Sequence, residues 1–282
     1  RVTLANTGTE AVLGAVRAAR TATGREKIAV FDTDYHGMID EFMVRGVHFK
    51  DETKSLPSSP GVPKYNVENV LVLDYDDPNV LQKLERHASE LAAVLIEPVQ
   101  AQNPHWQHGD LIKNIRSLTE KHGVALIFDE IINGFRLDQR GAQAWYGVDA
   151  DICAYGKSIS GGFPLAAVAG KAKYMNSFDG GYWGYGDDSS PEGVIAYFAS
   201  TFIKNPISVA AAHAALSEIQ RLGPGLQQDL NEKTAQFAKR ISEIFLRKKA
   251  PLMIQSASSF FMIKNADASP LTRLFNYVLR TK

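Results

Sequence analysis

An amine and an acid, each at the end of an apolar run, are the first chemistry this sequence offers. Lys157 stands in Tyr155-Gly156-Lys157-Ser158, just past the run Ile152-Cys153-Ala154, among small residues that leave its amine accessible. Upstream, Val124-Ala125-Leu126-Ile127-Phe128 runs straight into Asp129-Glu130. A lysine amine condenses with an aldehyde, and a carboxylate keeps a pyridine nitrogen protonated so that the ring accepts electrons. Together they are what a pyridoxal phosphate site requires.

Further residues gather around that pair. In open α/β sheets ligands collect at the carboxyl ends of the strands. Three expected strand ends deliver Glu97-Pro98, Asp129-Glu130 and Lys157, which makes Glu97 a cofactor-binding candidate too. Asn6-Thr7-Gly8-Thr9-Glu10 precedes a helix, so Gly8 and Thr9 are candidates to hold a phosphate at the helix start. An ordinary cap, with Thr9 satisfying the helix end, uses the same residues. Tyr35-His36-Gly37 offers a flat aromatic that stacks on a cofactor ring, or a surface turn plugged by an aromatic. His36 is a candidate for proton transfer, with Lys157 the better base. Ile131 is placed either to press on the opposite ring face or to fill the core. The hydroxyl of Thr201, after Ser200 and before Asn205-Pro206, reaches a phosphate or caps a turn. Arg136 meets a substrate carboxylate or an internal partner.

The elements that must position these residues follow from hydrophobic periodicity. Short apolar runs at 28–31, 70–73, 93–96, 124–128 and 166–169 read as strands. Between them, Val12, Ala15, Val16 and Ala19 share one helix face. So do Leu111, Ile115 and Leu118, in a segment closed by His122-Gly123, and Leu81 and Leu84 after Asp77-Pro78. This alternation predicts an α/β fold with a mostly parallel sheet and helices on both faces. Residues 51–66, rich in Pro, Ser, Gly and Lys, read as a surface excursion, and 176–193 as a polar but ordered segment. From Pro206 the pattern changes to helices at 206–221 and 225–247 and a strand pair around 253–264. The expected division is a large domain over 1–205 and the start of a smaller α+β domain over 206–282. The chain begins at Arg1 and enters a motif within six residues, so a fragment lacking its amino-terminal part is expected.

Composition narrows the partners. The 282 residues carry 31 basic and 31 acidic side chains, and a net charge of zero argues against nucleic acid or an anionic membrane surface. The single cysteine, Cys153, rules out an internal disulfide. With no visible signal peptide it fits a reducing, cytoplasmic setting, and its apolar surroundings predict a buried thiol.

Taken in order, Thr7-Gly8-Thr9-Glu10-Ala11, Tyr35-His36-Gly37, Glu97-Pro98-Val99, Asp129 to Arg136, and Gly156-Lys157 with Gly161-Gly162-Phe163-Pro164 resemble the class III aminotransferases of fold type I. Within them the chain is most similar to glutamate semialdehyde aminomutases and to aminotransferase domains embedded in polyketide/peptide synthetases of the microcystin type. The resemblance implies pyridoxal 5'-phosphate carried by Lys157, with Asp129 on its ring nitrogen. It also implies the Gly8 and Thr9 backbone on its phosphate, Tyr35 stacked on its ring and Ile131 behind it. Thr201 matches a threonine that reaches the phosphate of the neighbouring subunit, which implies a homodimer. The implied reaction moves an amino group from glutamate or glutamine to a keto acceptor, a β-keto acyl thioester on an acyl carrier protein. Phe178 to Glu192 resembles the insert of the synthetase-embedded type, expected to wall the tethered chain. Ala101 stands where the aminomutases have glycine, and Ser200 also replaces a usual glycine.

Three other readings remain open at this stage. An aminomutase keeps both substituents on one small molecule. A cofactor-free scaffold domain would not need the Asp129 and Lys157 pair. A plain nucleotide-binding domain would read phosphate at Gly8, but the sequence lacks a P-loop or dinucleotide fingerprint.

Overall fold

The computed structural model describes residues 1–49 and 52–266. In chain order they form β1 (Val2–Ala5), α1 (Gly8–Thr23), β2 (Lys27–Phe31), β3 (Val44–Phe49), β4 (Glu52–Pro57), β5 (Val70–Leu73), α2 (Val80–His87), β6 (Leu91–Ile96) and α3 (Gly109–His122). There follow β7 (Ala125–Glu130), α4 (Gly141–Tyr146), β8 (Ile152–Tyr155), β9 (Ala166–Gly170), α5 (Ala172–Met175), α6 (Pro206–Leu222), α7 (Gly225–Arg247), β10 (Leu252–Ala257) and β11 (Phe260–Asn265). One seven-stranded sheet runs in the order β1-β9-β8-β7-β6-β2-β5. Its centre is parallel, and β9 runs antiparallel to both β8 and β1.

Alternation along the strands sends side chains to two apolar layers. Ile28 and Val30, Ala93 and Leu95, and Ala125 and Ile127 pack with Val12, Ala15, Val16 and Ala19 of α1. The intervening Ala29 and Phe31, Val94 and Ile96, and Leu126 and Phe128 pack with Leu84 of α2 and with Ile112 and Ile115 of α3. The alanines of α1 let its backbone lie close on the sheet. Burying each large aliphatic side chain here contributes about 1.5–3 kcal/mol. The same alternation carries on through the end of β7. Asp129 follows Ala125 and Ile127 to the α1 side, and Glu130 follows Leu126 and Phe128 to the other.

The sequence reading departs from the structure at several elements. Residues 52–57, expected as part of a surface excursion, form β4 and pair antiparallel with β3; residues 50 and 51 lie outside the described residues. The hairpin satisfies backbone groups that the Lys- and Ser-rich composition gave no reason to pair. β1, a four-residue strand at the sheet edge, was not expected. On α3 the most buried apolar side chains are Ile112 and Ile115, with Leu111 and Leu118 half-buried at the flank, so the apolar stripe is rotated from the expected one. β7 starts at Ala125 and includes Asp129 and Glu130 rather than stopping before them. Cys153 is buried, as its surroundings suggested. Among the described residues no helix is long and apolar enough to cross a membrane.

Candidate active site

The carboxyl ends of β1, β2, β6, β7 and β8 share one edge of the sheet, as their parallel direction requires. A cavity of about 330 Å³ opens there, lined among others by Gly8, Thr9, Tyr35, His36, Glu97, Asp129, Ile131 and Lys157. These residues come from five separate segments of the chain, and the structure brings eight of the nine candidate cofactor-binding residues to one place. Thr201 is the exception: it sits exposed in a turn and does not line this cavity.

The helix start is built for an anion. Thr7, not Thr9, caps α1: its hydroxyl accepts the Glu10 N–H at 3.2 Å, and Glu10 Oε2 accepts the Asn6 N–H at 2.7 Å. That corrects the capping alternative for Thr9 and leaves Thr9 on the cavity wall. The N–H groups of Gly8 and Thr9 precede the first residue that finds an intrahelical acceptor, so they are available to a ligand oxygen. Gly37, at φ 95°, closes against this turn. A Cβ there would stand 2.6 Å from Thr9 Oγ1.

Lys157 follows Gly156 at the end of β8 and opens a short 3-10 turn over Lys157–Ser160. Its backbone has φ 44°, a left-handed conformation that costs a non-glycine residue on the order of 1 kcal/mol. The turn is fixed by Ser158 Oγ donating to Gly134 O at 2.8 Å, and by Ile159 packed with Ala212 of α6. The Lys157 amine keeps solvent access. Partial burial nevertheless lowers its pKa, against the opposing charges of Asp129 and Glu97. Part of the amine population is thus more easily freed of its proton than a surface lysine.

Asp129 is 4% exposed and fully engaged. Its Oδ2 lies 2.9 Å from His36 Nδ1, and its Oδ1 accepts the Ile131 N–H at 3.1 Å. Glu97 Oε2 accepts the Tyr35 N–H at 3.1 Å. Burial raises the pKa of Glu97 well above the usual carboxylate value, and the charges of Asp34 and Asp129 add to the effect. Tyr35 is 54% exposed, leaving its ring face open at the cavity.

Sequence reasoning missed Asp34, Tyr75 and Gln100. The Asp34 side chain is wholly buried, and accepts from Glu97 N–H at 2.9 Å, Gln100 Nε2 at 2.7 Å and Tyr75 Oη at 3.0 Å. Tyr75 is held by rings on both faces, Phe31 at 4.2 Å and His108 at 4.4 Å between centroids. The one signal was an acidic residue directly before Tyr35-His36-Gly37. Its partners lie far along the chain.

Residues 178–192 do not line the Lys157 cavity. Phe178 instead packs on Phe198, and Phe178 and Asp179 line a separate cavity of about 510 Å³ beside Ser200. Arg136 is half-buried. Its Nε has no hydrogen-bond partner among the described residues, and burial lowers its pKa.

An amine, a buried carboxylate, an open aromatic face and free helix N–H groups in one cavity form a constellation suited to an aldehyde-bearing, phosphorylated pyridine. The sequence profile of the family described as Aminotransferase class-III matches residues 1–275. The chain belongs to this family, whose members are pyridoxal-phosphate-dependent proteins of fold type I. Among curated relatives, a glutamate-1-semialdehyde 2,1-aminomutase from Methanococcus vannielii is 35% identical over 273 residues, covering 96% of this chain and 60% of that protein. The chain also superposes on an omega-transaminase from Sphaerobacter thermophilus with TM-score 0.81 and 33% identity, covering 98% of this chain and 61% of that one. A beta-phenylalanine aminotransferase from Variovorax paradoxus gives TM-score 0.76 at 28% identity, over 94% and 55%. The chain thus spans about 60% of the length of the curated relative it matches.

Proposed function

We propose that this chain carries the cofactor-binding part of a pyridoxal-phosphate-dependent aminotransferase that moves an amino group from glutamate or glutamine to a keto acceptor. The observation that carries the reading is Lys157, with its lowered pKa, on the wall of the same cavity as the buried Asp129. Bound pyridoxal phosphate would supply an aldehyde that takes up amines and a ring that accepts electrons from the substrate's Cα. Lys157 would hold the cofactor through its Nζ and, once the substrate's amine has displaced it, that free Nζ would carry the proton taken from the substrate's Cα. Asp129, held by His36 and the Ile131 N–H, would keep a proton on the ring nitrogen. Gly8 and Thr9 would hold the phosphate, Tyr35 would cover one ring face and Ile131 the other. Glu97 fixes the Tyr35 backbone, and His36 fixes Asp129.

The acceptor class is a β-keto acyl thioester on a carrier protein. The likeness of Phe178 to Glu192 to synthetase-embedded domains supports this, and so does similarity to an enzyme named for a β-amino acid. Thr201 and residues 178–192 stand outside the Lys157 cavity, so any contribution of theirs to a site calls for a second subunit. Tyr182, Tyr185, Tyr197 and Phe202 are exposed in the same stretch, as a homodimer surface would be in one isolated chain. In this reading residues 1–205 are the large domain and 206–282 begin the smaller one.

Intact mass spectrometry tests the proposal. A carrier protein loaded with a β-keto acyl thioester is incubated with the full-length protein, pyridoxal phosphate and glutamate or glutamine. Conversion of carbonyl to amine, absent with Lys157→Ala, is the expected result. A second reading, an aminomutase, is favoured by the 35% identical relative. Isomerisation of glutamate-1-semialdehyde with no keto acid added, and no change on the carrier, would establish it instead.

A further inference from the structure

Three carboxylates converge behind the cavity, and a single imidazole stands between two of them. His36 is 3% exposed. Its Nδ1 lies 2.9 Å from Asp129 Oδ2. Its Nε2 is buried with no hydrogen-bond partner among the described residues, and Asp34 Oδ2 lies 3.8 Å away from it. An imidazole ring has a nearly two-fold torsion about its Cβ–Cγ bond, so one good contact does not by itself fix which nitrogen faces which partner. A second anion on the far nitrogen removes that ambiguity. Turning the ring would put carbon where Asp129 now finds Nδ1, and would carry Nε2 away from Asp34.

Asp34 is well placed for this role. Its hydrogen-bond donors are the Glu97 N–H, the Gln100 amide and the Tyr75 hydroxyl, and the Glu97 carboxyl stands close enough to feel its charge. The donors come from the end of β6, the segment after it and the segment after β5. Burial pushes the Asp34 pKa up to about 6, while His36 and these donors pull it down. The carboxylate therefore depends on its surroundings to remain charged. A residue needed only to hold a surface turn would not require a wholly buried charge, which is costly unless paired or hydrogen-bonded.

We propose that Asp34 is a positioning residue that acts through the His36 imidazole to fix Asp129, forming a buried row Asp34–His36–Asp129 behind the cofactor's ring nitrogen. The role rests on the cofactor reading above; the row itself does not. Asp34 does not line the cavity. It sets the orientation of His36, and His36 in turn holds the carboxylate that the ring nitrogen needs.

Nitrogen-15 spectra of the histidine side chains in the cofactor-free, full-length protein provide one readout. The pyridoxal phosphate dissociation constant and visible absorption maximum provide the others. The His36 signals are assigned by their loss in His36→Gln. In Asp34→Asn the His36 ring signals move, cofactor affinity falls about tenfold or more, by analogy with the loss on removing the outer partner of a metal-ligating histidine, and the absorption maximum shifts. Asp34→Glu, which keeps the charge, recovers part of each. Unmoved His36 signals in Asp34→Asn would overturn the proposal. So would equal losses in the Asn and Glu variants, which would make Asp34 only a clasp for its loop. If Asp34→Asn fails to fold, Tyr75→Phe removes one donor from Asp34 and must move the same signals to a smaller extent; no movement overturns the row. A wild-type protein that binds no pyridoxal phosphate defeats the cofactor reading, while the His36 signals still decide the row.

Discussion

Ile131 occupies the space that Gly8 leaves open. A Cβ on Gly8 would stand 2.9 Å from Ile131 Cγ2, and one on Gly156 would stand 3.2 Å from Ile131 Cδ1. The isoleucine is therefore wedged between the start of α1 and the turn that carries Lys157, joining the phosphate end of the cavity to its amine end. Gly8→Ala should overpack this wedge at a cost of about 1–3 kcal/mol. It should also weaken pyridoxal phosphate binding as Ile131 is pushed into the cavity. Adding Ile131→Ala should recover part of both losses. Fluorescence titration with the cofactor and urea unfolding measure them, and simple additivity of the two changes would show that the contact is not the cause.

Lys157 holds a left-handed backbone for the sake of its amine. Glycine accepts φ 44° without a Cβ penalty, whereas alanine keeps the penalty. Cofactor-free Lys157→Gly should accordingly be more stable than Lys157→Ala by about 1 kcal/mol, the usual advantage of glycine at such a position. Neither variant should retain cofactor on the chain after borohydride reduction, while the wild type should. Equal urea midpoints for the two variants would mean that the turn relaxes and stores no strain.

Much of this site was legible because its members lie at strand ends whose strands announce themselves. The run Val124 to Phe128 is apolar enough to mark a buried strand, and its alternation then assigns Asp129 and Glu130 to opposite faces. Lys157 and Gly8 were readable from short motifs for the same reason: local spacing decides where they go. Asp34 was not, since its burial depends on residues 75, 97 and 100, which the fold alone brings together. β1 escaped notice because four residues at a sheet edge carry little periodicity. The hairpin of β3 and β4 did so because its polar composition resembles that of a loop.

Away from the site, Asp151 ties two strands of the sheet to a helix. It accepts the Leu126 N–H at 2.9 Å, Arg116 Nη1 at 2.9 Å and Lys171 Nζ at 2.8 Å. Burial opposes its ionisation, but these three donors outweigh that and hold its pKa below 3.8. A lowered carboxylate pKa gives stability that is complete above the ordinary value and lost as pH falls through the folded one. Asp151→Asn should therefore destabilise the protein by about 1–3 kcal/mol at neutral pH. The gap from wild type should close in acid, and cofactor affinity should be unaffected. Urea midpoints across pH check this, and a pH-independent gap would assign the loss to packing instead.

Glu130 has the opposite sign. It is fully buried on the face away from the cavity, with Oε2 accepting the Ala142 N–H at 2.7 Å and Oε1 unpartnered among the described residues. Burial pushes its pKa up to about 7, the Ala142 N–H pulls it down and the charge of Asp129 adds to the rise. The folded protein then holds a proton that the unfolded chain releases near 4.5, so stability falls as pH rises from there to about 7 and levels off above it. Glu130→Gln keeps the shape and the acceptor for Ala142 but has no proton to lose. Its stability relative to wild type should grow between pH 5 and pH 8 by an amount on the order of 3 kcal/mol at most, from ~1.4 kcal/mol per unit of pKa difference. Thermal unfolding of both proteins at the two pH values measures this. A difference that stays constant with pH would show that Glu130 is already ionised in the folded protein, held by some partner other than the Ala142 N–H.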